Sequence, residues 1–266
     1  MEETFISHLV ELRNRLLRAV IAIVVFFVIL MPWAGTLYDF LALPMMKTLP
    51  EGTNMIATGV VTPFFVPVKV TLLVAFLIAL PYVLYQAWSF VAPGLYTHER
   101  RIGVPLVAGS TALFLAGMAF CYFFVFGVVF SFISEFAPKS IVPAPDIEQY
   151  LSFVMTMFIA FGITFEVPVV VVLLVWTGIV DIQKLREARP YVIVGAFVIS
   201  AVVTPPDVIS QFMLAVPMLV LYEVGILIAK NLRRRRMSED DDDEPKALAD
   251  DVEAERSDNL DRGSRD

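Results

Sequence analysis

Long stretches without a charged residue are the feature that most constrains what this chain can fold into. Residues 70–98 and 102–134 contain no Asp, Glu, Lys or Arg, and residues 150–176 contain one carboxylate, Glu166. About 20 apolar residues in a helix cross the ~30 Å hydrocarbon core of a bilayer, so each stretch is long enough to span a membrane. The composition agrees, because 58% of the 266 residues are hydrophobic and only 18% are charged.

The pattern predicts an all-α polytopic membrane protein with six transmembrane helices. The spans are expected at about 17–37, 68–91, 103–133, 150–176, 190–204 and 208–229. The last two are separated by the run Thr204–Asp207, whose two adjacent prolines cannot continue a helix. A fifth helix of ~15 residues reaches only ~22 Å, so we expect the bilayer to thin beside it.

The charge distribution divides the chain into three parts. Apolar residues at helical spacing predict that residues 1–16 form a cytoplasmic amphipathic helix on the membrane surface, ahead of a membrane domain over 17–230. Residues 231–266 are polar and acidic and are expected to be a disordered cytoplasmic tail, which carries most of the net charge of −7. The single cysteine, Cys121, excludes an internal disulfide and a multi-cysteine metal site.

Lysine and arginine predict the orientation. Three basic residues lie on one side of the predicted spans, namely Lys47, Lys69 and Lys139. Thirteen lie near the membrane on the other side: Arg13, Arg15, Arg18, Arg100, Arg101, Lys184, Arg186, Arg189, Lys230 and residues 233–236. The positive-inside rule therefore places both termini in the cytoplasm, and the run 233–236 is expected to contact anionic lipids.

Prolines inside or at the edge of the predicted spans bear on their shape. Pro81, Pro105, Pro168 and Pro217 each remove one helical hydrogen bond, which favours kinked helices and a curved wall. Prolines are also common in ordinary membrane helices, so both interpretations stay open at this point.

A few polar residues in the apolar stretches require an explanation. Glu166 is either a polar site that faces a cavity or a structural acid beside Pro168, because a carboxylate at this depth is costly. Asp207 is expected to cap the sixth helix, and Gln211 to form a hydrogen bond across helices. Taken singly, Glu11 reads as an i,i+4 ion pair with Arg15 and Glu99 as a solvated acid.

Known enzyme signatures are missing from the sequence. It has two histidines, neither in an HExxH pattern, and no GxSxG, phosphate-binding loop or metal-ligand cluster. We therefore expect neither an enzyme nor a cofactor, and nothing in the chain points to nucleic acid. Two function classes that stay open are a proton- or ion-coupled secondary transporter with Glu166 as the coupling site, and a passive membrane scaffold.

Four separated motifs carry a resemblance to a known family. They are SHLVELRNRL at 7–16, FVAPGLYTHERR at 90–101, FEVP at 165–168 and TPPDVISQ at 204–211. In this order they resemble the TatC family, the receptor subunits of the twin-arginine protein translocase, over residues 7–230.

The resemblance implies a glove-shaped fold of six helices in a bacterial inner membrane. It further implies that the protein binds twin-arginine signal peptides and transports folded proteins, using the proton-motive force. Its partners would be TatA-like and TatB-like single-span proteins, in a complex that also contains several copies of this chain.

The resemblance also assigns roles to individual residues. Signal-peptide binding falls on Glu11, Glu99, Arg13, Phe90, His98 and Arg101. Glu166 matches the intramembrane acid of the family. Partner-helix binding falls on Thr204, Asp207 and Gln211, and Pro44 matches an outer-loop position linked to activity.

Overall fold

The apolar stretches form helices in the computed structural model, which describes residues 2–49, 53–91, 100–136, 144–204, 207–232 and 234. Within these ranges, the side chains of residues 2–8, 91 and 100–104 are outside the description. The helices are α1 (Glu2–Leu30), α2 (Ala34–Met46), α3 (Thr62–Val91), α4 (Arg100–Phe120), α5 (Phe126–Phe136), α6 (Ile147–Trp176), α7 (Ile182–Glu187), α8 (Arg189–Val203) and α9 (Val208–Leu232). A 3₁₀ turn, Met31–Trp33, joins α1 to α2, and a π-helical turn, Cys121–Val125, joins α4 to α5.

Five apolar helical stretches in the described residues are long enough to cross a membrane. They are Leu9–Met46, Thr62–Phe90, Pro105–Phe136, Ile147–Trp176 and Val208–Leu232. These coincide with five of the six predicted spans, so a polytopic all-helical membrane protein is confirmed. The remaining predicted span corresponds to α8, an apolar helix of 15 residues.

Two sequence-based expectations differ from the structure. The N-terminal segment does not form a separate short helix, because α1 runs without a break from Glu2 to Leu30. The predicted spans 17–37 and 68–91 leave residues 38–67 as a connection, but α2 continues through Pro44 to Met46 and α3 begins at Thr62. The connection is therefore residues 47–61. The helix continues through Pro44 because a proline removes only one helical hydrogen bond. The carbonyl that loses its helical donor accepts a hydrogen bond from another group, as described below.

The core forms where α3, α4, α5 and α6 meet. Its fully buried side chains are large and apolar, including Leu80, Phe126, Leu151 and Phe161. Small residues bring α4 and α6 close together. A Cβ at Gly117 would lie 2.6 Å from the carbonyl oxygen of Phe161, so a larger side chain has no room there.

The remaining helices pack on this core at different places. α1 lies against α3, and α2 contacts both α3 and α5. α9 crosses α6 where a Cβ at Gly225 would lie 3.0 Å from Cα of Pro168. Tyr222 and Ile226 of α9 form a second buried cluster with Val171 of α6 and Leu185 of α7.

The alternating helices give the molecule two ends. We call the end that carries α2, the start of α6 and the connection between α8 and α9 the α2 end. The opposite end, with the start of α1, the end of α3 and α7, is the α7 end.

A set of polar contacts, which we call the loop clasp, ties the two connections at the α2 end together. Ile56 pairs with residues 145–147 through two backbone hydrogen bonds of 3.0 and 2.9 Å, the isolated bridge of a parallel pairing. Asp146 Oδ2 accepts hydrogen bonds from the Thr58 hydroxyl (2.7 Å) and backbone N–H (3.0 Å). Asp146 Oδ1 caps α6 by accepting from the backbone N–H groups of Glu148 and Gln149.

Hydrogen bonding in the loop clasp changes the acidity of Asp146. The side-chain hydrogen bond from Thr58, with the backbone donors, lowers the pKa of this carboxyl from 3.8 to about 2. Glu148 extends the clasp to α3, because it accepts from Lys69 at 3.0 Å and from the Thr62 hydroxyl at 3.2 Å.

Candidate functional site

Glu166 lies in the middle of the long helix α6 and is buried. It is 10 residues from the end of α6 at Trp176, which is ~15 Å along the helix axis. The Ser110 hydroxyl of α4 donates a hydrogen bond to Glu166 Oε2. Oε1 is also buried and has no hydrogen-bond partner among the described residues. Leaving a buried polar atom unpaired costs about 1–3 kcal/mol, so Oε1 is an energetically costly feature of this helix.

A second donor extends the contact to a third helix. Trp88 Nε1–H of α3 donates to Ser110 Oγ at 2.9 Å. A serine hydroxyl can accept one hydrogen bond while it donates another. Trp88, Ser110 and Glu166 therefore form a directional chain across α3, α4 and α6, which we call the Trp–Ser–Glu chain. Of these three residues, only Glu166 stands out in the sequence, whereas Trp88 and Ser110 do not.

The predicted signal-binding residues divide between described and undescribed parts of the chain. Glu11 and Arg13 lie on α1 and Phe90 on α3, all at the α7 end, with Arg13 exposed. His98 and Glu99 lie outside the described residues, as does the side chain of Arg101 on α4.

Glu11 is held by the residue one helical turn ahead. Arg15 donates from Nε (2.8 Å) and Nη2 (2.5 Å) to Glu11 Oε1. This confirms the i,i+4 pair expected from the sequence. It also shows that the Glu11 carboxylate accepts a guanidinium in this position.

The predicted partner-helix residues flank the connection between α8 and α9, with Thr204 directly after α8, Asp207 directly before α9 and Gln211 in the first turn of α9. Asp207 Oδ1 accepts from the Ser210 backbone N–H at 2.6 Å, which confirms the expected cap of the last long helix. Gln211 Nε2 donates to the Phe197 carbonyl of α8 at 3.3 Å, which confirms the expected bond across helices. The Thr204 hydroxyl donates to the Ser200 carbonyl at 2.8 Å and is buried.

A cavity of about 310 Å³ opens beside this turn. It is lined by Thr204 and Val203 together with residues of α6: Gln149, Ser152, Phe153 and Thr156. Polar groups of α6 therefore share one recess with Thr204, which the sequence could not place together.

Pro44 has a local structural consequence. It lacks an N–H, so the Phe40 carbonyl four residues earlier loses its helical donor. The Tyr122 hydroxyl donates a hydrogen bond of 2.8 Å to this carbonyl, and the rings of Phe40 and Tyr122 stack with centroids 5.4 Å apart. Pro44 thus creates an attachment point for the π-helical turn after α4.

The described residues contain no group of three or more His, Cys, Asp or Glu side chains that could hold a metal ion. The site is instead defined by hydrogen-bonding groups on membrane helices.

Comparison with known proteins identifies the family of this arrangement. The family described as "Sec-independent protein translocase protein (TatC)" matches residues 7–217. The chain belongs to the TatC family. A TatC from Azotobacter chroococcum is 52% identical over 228 residues, covering 86% of this chain and 89% of that protein. The Escherichia coli K12 TatC is 50% identical over 228 residues, covering 86% and 88%.

A solved TatC structure shares the fold. The crystal structure of a protein described as the twin-arginine translocase receptor TatC superposes with a TM-score of 0.74. It is 39% identical and covers 84% of this chain and 98% of that chain. The chain is therefore a multi-pass membrane component of a protein translocase and not an enzyme, as the sequence predicted.

The two residues that the sequence analysis missed carry a weak signal of their own. A buried carboxylate needs hydrogen-bond donors, and the hydroxyls, amides and indoles inside charge-free stretches are the candidates. Trp88 and Ser110 belong to that set. Their pairing with Glu166 depends on how three helices cross, which a single sequence does not specify.

Proposed function

We propose that this TatC-family protein is the signal-peptide receptor of a twin-arginine translocase. The observation that supports this most is the fold shared with a twin-arginine translocase receptor over 84% of the chain at 39% identity. The cargo would be folded proteins, and with no nucleotide-binding motif in the sequence, the proton-motive force would supply the energy.

Signal recognition would take place at the α7 end. A twin-arginine signal presents two guanidinium groups, and a guanidinium prefers a carboxylate in bidentate geometry. Glu99 and Glu11 would supply the two carboxylates, with Phe90, Arg13, His98 and Arg101 around them. The Arg15–Glu11 contact at 2.5 Å supports this assignment, because a signal arginine could take or share the same acceptor.

The membrane arrangement follows the positive-inside rule. Six spans, with α8 as a short fifth crossing, would place both termini in the cytoplasm of a bacterial inner membrane. The curved, glove-like shape implied by the resemblance would then open its concave face toward partners. With 15 residues, α8 would reach ~22 Å and thin the bilayer beside it.

Partner helices would bind inside the membrane. A TatA-like or TatB-like single-span protein would dock beside the α8–α9 connection, at Thr204, Asp207 and Gln211, in a complex with several copies of this chain. The recess shared by Thr204 and the polar residues of α6 supports this, since hydrogen bonds between membrane helices favour association. Glu166 would act as the intramembrane polar site during transport.

A crosslinking experiment tests the receptor function. A photoreactive amino acid in place of Leu12, an exposed residue of α1 next to Glu11, keeps both carboxylates and should crosslink to a twin-arginine signal peptide in membranes that contain the partner proteins. The matched control is the same peptide with two lysines, which keeps the charge and loses the bidentate geometry. Equal crosslinking of both peptides, or of neither, would contradict the proposal. Flux of a small solute through the purified protein alone would instead favour a secondary transporter.

A further inference from the structure

We propose that Ser110 and Trp88 are positioning residues that hold the Glu166 carboxyl in its inward position between α4 and α6. This goes beyond the signal and partner sites and rests on the proposed function only for its consequence in transport. The geometric part concerns the protein alone.

The hydrogen bonds of the Trp–Ser–Glu chain run in one direction, from Trp88 to Ser110 to Glu166. Trp88 Nε1–H can only donate, so Ser110 Oγ must be the acceptor, at 2.9 Å. Because one lone pair of Ser110 Oγ accepts the Trp88 hydrogen bond, the serine hydroxyl directs its own hydrogen toward Glu166 Oε2. The tryptophan therefore fixes the rotation of the serine hydroxyl, and the serine fixes the carboxyl.

Ser110 and Glu166 are both buried. Ser110 is fully buried and Glu166 is 9% exposed, while Oε1 has no partner in the described part of the chain. A carboxyl with one unpaired buried oxygen would turn toward water or a donor if nothing held it. Among the described residues, Ser110 is the side chain that donates to Glu166.

The helices that carry Ser110 and Glu166 pack closely against each other. The α4–α6 contact is close at Gly117 and Gly162, where a Cβ would meet Phe161 at 2.6 Å and Phe114 at 2.4 Å. Ser110 lies two helical turns from Gly117, and Glu166 one turn from Gly162. The two helices are therefore closely packed on either side of the hydrogen bond.

The inference has a consequence for the Glu166 site. Removing the serine hydroxyl should let the carboxyl leave its inward position, whereas a hydroxyl on a slightly larger side chain should retain it. The neighbouring residue supplies a control. The Thr111 hydroxyl bonds to the Val107 carbonyl of its own helix at 2.7 Å and does not take part in the chain.

The test is the rate at which dicyclohexylcarbodiimide, a membrane-soluble reagent for protonated carboxyls, modifies Glu166 in the purified full-length protein. Modification is quantified by mass spectrometry, with Glu166→Gln as the blank. Ser110→Ala should raise the rate by about two- to tenfold, the change expected when one hydrogen bond is lost. Trp88→Phe should raise it less, and Ser110→Thr and Thr111→Val should match the wild type.

Two results would overturn the inference. One is an unchanged rate in both Ser110→Ala and Trp88→Phe. The other is a rise in Ser110→Thr equal to that in Ser110→Ala, which would assign the effect to packing. A transport assay separates this inference from the proposed function. If labelling follows the prediction while Glu166→Gln transports normally, the positioning stands and the transport role of Glu166 fails.

Discussion

At the α2 end, local hydrogen bonds are joined by several that connect residues 79–109 positions apart in the sequence, as in Thr58–Asp146 and Tyr150–Leu41. At the α7 end, the described side-chain contacts join residues 1–37 positions apart, as in Arg15–Glu11 and Tyr222–Leu185. Long-range bonds fix how distant helices sit against each other, whereas local ones stabilise a single helix or hairpin. Among the described residues, the comparison indicates a scaffold braced across distant helices at the α2 end and contacts between residues closer in sequence at the α7 end.

The loop clasp should give the largest effect on stability. Asp146→Ala removes the cap of α6 and both acceptor bonds to Thr58, and we expect the melting temperature to fall by several degrees. The measurement is thermal unfolding in detergent, with Asp39→Ala on α2 as a nearby carboxylate control. A melting temperature unchanged by Asp146→Ala would show that the clasp does not brace this end.

The loop clasp also has a defined pH dependence. The pKa of Asp146 is lowered to about 2 from 3.8, so its contribution is complete above pH 3.8 and disappears as the pH falls through about 2. The difference in unfolding free energy between wild type and Asp146→Asn should therefore be constant from pH 7 to about 5 and shrink toward pH 2. A difference that changes near neutral pH would exclude ionised Asp146 as its source.

A single buried hydrogen bond should give a smaller effect. Tyr150→Phe removes the donor to the Leu41 carbonyl (2.7 Å) at a buried position. We expect a loss of about 1–2 kcal/mol in unfolding free energy, measured in denaturant or heat. The control is Tyr82→Phe, at a tyrosine that is 41% exposed. Equal losses of unfolding free energy in Tyr150→Phe and Tyr82→Phe would show that the buried Tyr150 hydrogen bond contributes no more than an exposed tyrosine hydroxyl.

The smallest stability change is expected at the α7 end. Glu11→Gln breaks a partly exposed i,i+4 pair with Arg15, which contributes about 0.3–0.5 kcal/mol. Signal-peptide binding should nevertheless weaken in this variant, because Gln offers no charge to a guanidinium. A large loss of stability in Glu11→Gln would instead assign Glu11 to the scaffold.

Much of the local structure was predictable because it depends on neighbouring residues. The apolar stretches, the cap by Asp207, the Arg15–Glu11 pair and the bond from Gln211 each involve groups within 14 positions of each other. The helical course through Pro44 was not predictable, because it depends on Tyr122, 82 positions beyond Phe40.

The same reason explains what the sequence missed at the candidate site. Glu166 stands out as a lone carboxylate in an apolar stretch, but its donor Ser110 is 56 positions away and Trp88 lies 22 positions before that. The Ser110–Glu166 pairing is set by how α4 and α6 cross. That crossing depends on the close approach that Gly117 and Gly162 allow because they lack side chains. Such crossings are a property of the packed bundle.

The central claim, that the α7 end receives a twin-arginine signal, is tested most directly by binding affinity. The measurement is the dissociation constant of a fluorescent twin-arginine signal peptide for the full-length protein in lipid nanodiscs. Glu99→Lys should weaken binding about tenfold or more, equivalent to about 1.4 kcal/mol. Glu135→Lys, at an exposed carboxylate of the α2 end, should leave it unchanged. Equal affinities for wild type and Glu99→Lys would contradict the account.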